Sequence, residues 1–123
     1  MENRIDLSKE TLEKLKKERG YLAIVKETLK KFKPPKKFAG ATVYKLGEEH
    51  LLVLFLDEEE NPLGDMLIDL KNDVVFTDPH QFKVKIEITP QGMEHYKLWE
   101  GNKYFEGKAT LLTPWISYEE IYS

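Results

Sequence analysis

Hydrophobic positions recur with a helical period in the first quarter of the chain and with a strand period in the rest. Ser8 is a suitable N-cap, and after it Leu12, Leu15, Leu22, Val25, Leu29 and Phe32 follow at spacings of 3, 7, 3, 4 and 3. At about 100° per residue these six fall within an arc of about 160°. The pattern predicts one helix over 8–32 with a single apolar stripe. Glu10 with Lys14, Glu13 with Lys17 and Glu27 with Lys31 are i,i+4 pairs in the favourable order and describe its wet face. Gly20 either costs about 1 kcal/mol inside that helix or caps a first helix at Arg19; the stripe favours one helix. Pro34 and Pro35 end it, since neither can donate to a helical ladder.

Beyond Pro35 the period changes. The stretch 38–46 is rich in small, β-branched and aromatic residues, and Gly47-Glu48-Glu49 turns the chain into the all-apolar run 51–56. Such a run predicts a central strand covered on both faces. The segment 57–64 reads as a solvated loop and 65–70 as the returning strand of a hairpin, with Asp65 and Asp69 on one face and exposed. A short strand is expected at 74–76. Phe82, Val84, Ile86 and Ile88 alternate with Lys83, Lys85, Glu87 and Thr89, predicting a strand with one dry and one wet face. Gly101-Asn102 is a two-residue hairpin connection between strands at 95–100 and 103–112, with Gly107 a candidate bulge. Behind Thr113-Pro114, Ser117 and Glu120 form a small capping box that predicts a terminal helical turn.

The fold expected is α+β: one long N-terminal helix packed on an antiparallel β-meander of about five to seven strands. A small β-barrel with an N-terminal helix is the runner-up. At 123 residues the chain fits a single domain over 1–123, comprising a helical arm (1–37) and a strand-rich body (38–123).

Charge sharpens that division. The arm carries 12 Lys and Arg against 6 Asp and Glu, and the body 7 against 16, so the overall charge of -3 conceals a dipole. The longest apolar run has six residues where a membrane span needs about 20; no membrane partner and a cytoplasmic location are expected. The absence of cysteine excludes disulfides, thiolate metal sites and cysteine nucleophiles. Lys outnumbers Arg 17 to 2 and Glu outnumbers Asp 16 to 6, a thermophile-like composition that also argues against base-specific DNA reading, which favours arginine.

No motif reaches a chemical signature. His50, His80 and His95 lie 30 and 15 residues apart, so a histidine metal site would have to be assembled by the fold alone. No metal, cofactor or catalytic residue is expected, and a binder is favoured over an enzyme. The acidic stretch 57–60, with Asp65 and Asp69, lacks the spacing of a cation loop. The leading expectation is a non-catalytic protein-interaction module, binding a protein partner or a second copy through Leu22, Leu29, Trp115, Tyr118 and Tyr122. The alternative is a nucleic-acid-binding domain using Lys26, Lys30, Lys31, Lys33, Lys36 and Lys37, with Trp99 and Tyr104 as stacking platforms. A metal-dependent hydrolase built on Asp65, Asp69 and a histidine stands third.

Overall fold

In the computed structural model the described residues are 3–4, 20–32, 37–77 and 80–122. Seven antiparallel strands form a sheet curled into a half-barrel: β2 (Gly40–Leu46), β3 (His50–Leu56), β4 (Pro62–Asp69), β5 (Val74–Phe76), β6 (Phe82–Ile88), β7 (Glu94–Glu100) and β8 (Lys103–Ser117). A two-residue strand, β1 (Asn3–Arg4), pairs with the edge of β5. The order across the sheet is β1-β5-β4-β3-β2-β8-β7-β6. Among the described residues there are two helices, α1 (Tyr21–Lys31) and α2 (Tyr118–Tyr122). The expected antiparallel sheet is present, but curvature takes it part of the way from an open meander to a barrel.

The long helix is not. Gly20 adopts φ 77° and ψ -174°, a conformation essentially reserved for glycine and incompatible with helix continuation, and α1 starts at the next residue. Its eleven residues bury Ile24, Val25, Thr28 and Leu29. The Thr28 hydroxyl donates to the Ile24 carbonyl at 2.7 Å, which lets a polar residue sit inside. Lys30 and Lys31 lie at the C-terminal end, where the macrodipole favours cations. The predicted helical positions Leu12 and Leu15 lie outside the described residues, as do Lys33 and Lys36.

The β2–β5 half of the sheet is buried on both faces. On the convex side α1 and α2 cover Ala41, Val43, Leu51, Val53, Phe55, Met66 and Ile68. On the concave side the curl brings β6, β7 and β8 over β2–β5, enclosing Leu46, Leu52, Leu67, Phe82, Tyr96 and Leu98. The alternating residues of β3 feed these two cores, so its uninterrupted apolar run follows from its central place.

Strand β8 joins the two halves. Residues 103–108 pair with β7 and residues 109–117 with β2. The expected strand end at Leu112 is overrun because register shifts opposite Val43 accommodate Pro114, which cannot donate to a ladder. The Thr42 hydroxyl donates to the Pro114 carbonyl at 2.8 Å and secures the irregularity. Gly107 marks no register shift: it opposes Tyr96, whose ring would lie 3.4 Å from a Cβ there. The predicted terminal turn is α2, and the Ser117 hydroxyl accepts the Glu120 N–H at 3.2 Å.

Candidate functional site

Three columns of inward-facing residues end in ionisable groups at the same end of the half-barrel. Because strand side chains alternate with period 2, His50 continues the concave-side column of Leu54 and Leu52, Asp69 that of Leu67, and Glu100 that of Tyr96 and Leu98. His50 and Asp69 are opposite partners in the β3–β4 ladder. Glu100 arrives from β7, four places away in the sheet from β4, and only the curl brings it to them.

All three are withdrawn from solvent, with exposures of 1% for His50, 1% for Asp69 and 7% for Glu100. His50 Nε2 lies 3.1 Å from Glu100 Oε2 and 3.9 Å from Asp69 Oδ2. One ligand-capable atom from each of the three falls within 4.8 Å of the other two. The His50 ring leans edge-on against Phe105, with centroids 4.8 Å apart. Asp69 is held by the turn that follows β4: its Oδ1 accepts the N–H groups of Lys71 and Asn72, and its Oδ2 accepts the Asn72 amide at 2.8 Å.

These surroundings set the protonation states. Burial lowers the His50 pKa, outweighing the opposing pull of Asp69 and Glu49, so the ring is neutral at pH 7. Its Nε2–H donates to Glu100, leaving Nδ1 buried with no hydrogen-bond partner among the described residues. Burial pushes Asp69 up, but the hydrogen bonds from the Asn72 side chain and backbone lead the opposing causes, and the balance holds the carboxyl below its ordinary range. A neutral imidazole beside an anionic carboxylate is the state in which both can donate electron pairs.

A cavity of about 810 Å³ opens beside the cluster. Asp69, Glu100, Val74, Phe76, Lys71 and Lys103 are among the residues that line it. His50 is behind the two carboxyls and does not line it. The arrangement therefore has a closed side made by the imidazole and an open side facing a space large enough for a small molecule.

The residues singled out from the sequence are distributed differently. Asp69 belongs to the cluster, against the expectation that it is exposed, while Asp65 lies opposite Leu54, about 13 Å further along β4. Leu29 is fully buried against the sheet and Leu22 is partly buried beside it. The aromatic tail docks on its own chain: the Tyr122 hydroxyl donates to the Leu29 carbonyl at 3.1 Å, and Tyr118 meets Phe38 edge-on and packs at a tilt against Tyr122. Trp115 remains partly exposed, lying over Gly40. Lys26 and Lys30 are on α1, which covers the β2–β5 half of the sheet, with exposed Lys31 at its last position and Lys37 beyond it. Trp99 and Tyr104 meet on the convex face of β7 and β8, with centroids 5.3 Å apart. His50 and Glu100 were not among the expected site residues. Their signal was positional, each being the polar residue that ends an apolar period-2 column.

Compared with protein-family models, with curated proteins and with solved structures, the chain matches none.

Proposed function

We propose that the protein binds a first-row divalent cation through His50, Asp69 and Glu100 and presents it to a small molecule in the adjoining cavity. The observation that carries this reading is the convergence of three buried ligand-capable atoms within 4.8 Å of one another, two of them on residues that line the cavity. Metal–ligand bonds of about 2.1 Å place neighbouring ligands about 3.0–3.4 Å apart, so the His50–Glu100 separation already suits coordination and the others need a modest contraction. One imidazole and two carboxylates suit Mn²⁺, Fe²⁺ or Zn²⁺ better than an all-oxygen calcium site. Burying two carboxyls beside a neutral ring is costly unless a cation joins them, and the lone Nδ1 supplies a resting place for the ring proton when Nε2 turns to a metal. With the imidazole behind and the carboxyls in front, open coordination positions face the cavity. Metal-assisted hydrolysis is the reaction class this arrangement suits.

The test is a titration of chelator-treated protein with Mn²⁺ and Zn²⁺, followed by calorimetry and by thermal unfolding. One equivalent is expected to bind, and at a hundredfold excess over Kd the midpoint should rise by roughly 10 °C. Asp69→Asn and Glu100→Gln should each abolish the rise while retaining the sheet's circular-dichroism signature. No binding at millimolar metal, or binding that survives both substitutions, overturns the proposal.

A second reading rests on the convex face of β6–β8. Register places Lys83, Trp99 and Tyr104 in one row, Lys85, Lys97 and Glu106 in the next, and Glu87, His95 and Lys108 in the third. Four of the body's seven lysines thus share a face with an aromatic pair, and Lys83 Nζ lies 5.5 Å from the Trp99 ring centroid. Such a face supports single-stranded nucleic-acid binding by charge and stacking. Fluorescence anisotropy of labelled single strands should then show affinity that collapses between about 50 and 200 mM salt and disappears in Lys83→Glu/Lys97→Glu. Binding indifferent to both changes would refute it.

A further inference from the structure

Strand β6 closes the order of the sheet, and among the described residues its only ladder partner is β7. An edge of this kind is a template for another strand unless something blunts it. Seven residues of regular alternation give it no bulge and no proline. Ile88, which continues the dry face of the strand, is 75% exposed, and Val84 and Ile86 before it are only partly buried. Lys85 sits opposite Lys97 on the neighbouring strand, a like-charge pair, and no carboxylate among the described residues lies within ion-pair distance of it.

We infer that β6 pairs antiparallel with β6 of a second copy about a two-fold axis through Ile86, making one sheet continuous through two molecules. The register follows from the side chains. With Ile86 on the axis, Ile86 meets the partner's Ile86 and Val84 meets the partner's Ile88 on the dry face. On the wet face Lys85 meets the partner's Glu87, twice by symmetry. The row that begins Lys85, Lys97, Glu106 gains a carboxylate next to Lys85, so its two lysines become flanked by acids on both sides. The adjacent in-phase registers are worse, because one sets Lys85 against the partner's Lys85 and the other sets Glu87 against the partner's Glu87. This inference is independent of the metal site, which lies on the concave side at the far end of β7 from Ile88.

The interface is a single strand wide, so association should be concentration-dependent rather than permanent. Light scattering and sedimentation from about 10 µM to about 1 mM should show mass rising towards two copies. Lys85→Glu alone, or Glu87→Lys alone, should weaken dimerisation about tenfold. The exchange Lys85→Glu/Glu87→Lys should restore it, since each new charge again meets its opposite and Lys97 keeps an acidic neighbour. Both positions are exposed, so the fold survives all three variants. A monomer at every concentration, or a dimer indifferent to the charge changes, overturns the inference.

Discussion

His50 is a histidine that gives up its ordinary titration to sit inside the sheet. Its pKa is below the usual 6.5 because burial disfavours the cation more than Asp69 and Glu49 favour it, with Lys103 adding to the lowering. As pH falls below 6.5 the unfolded chain takes up a proton that the folded chain refuses, so stability declines until the lowered folded-state pKa is passed. Asp69, held below its ordinary 3.8, adds a second loss in the same direction at lower pH. The thermal midpoint should therefore fall in two acid stages, and His50→Gln, which keeps a donor for Glu100, should remove the first and spare the second. A midpoint unchanged from pH 7 to about 5 in the parent protein would contradict the neutral ring.

At the scale of elements, Gly20 decides where α1 begins. A Cβ there would meet nothing within 4 Å, so Gly20→Ala tests backbone strain alone, and chemical denaturation should show a loss of about 1 kcal/mol. The same residue shows where the sequence became ambiguous. A glycine amid an apolar stripe reads equally as a tolerated interior position or as a break, because period depends on side chains and Gly20 contributes none. Elements whose evidence was local were legible: the unbroken Leu51–Leu56, the alternation from Phe82 to Ile88, the Gly101-Asn102 turn and the Ser117–Glu120 capping box. Strand β8 was legible only to Leu112, since Pro114 looks like a terminator until a bulge opposite Val43 makes room for it. The candidate site was the least legible. Asp69 looks solvent-facing beside Asp65, and what buries it is the curl that carries Glu100 across from β7, a long-range event with no local trace.

At the scale of the molecule, the fold is two runs of hairpins, β2 to β5 and β6 to β8, each built from neighbours in sequence. Three kinds of contact hold them together: the concave core with its polar cluster, the ladder between β2 and the second half of β8, where Gly40 faces Ser117, and the docking of α2 on α1 and Phe38 on the other face. The cluster therefore straddles the seam, with His50 and Asp69 from one run and Glu100 from the other. The seam has a topological consequence. Only the stretch between Thr77 and His80 ties the two runs covalently, so a molecule cleaved there retains every hairpin intact and keeps matching halves of one ladder. Co-expressed as separate polypeptides, the pieces have the makings of a complementation pair, in which reunion of β8 with β2 also reconstitutes the His50–Asp69–Glu100 cluster.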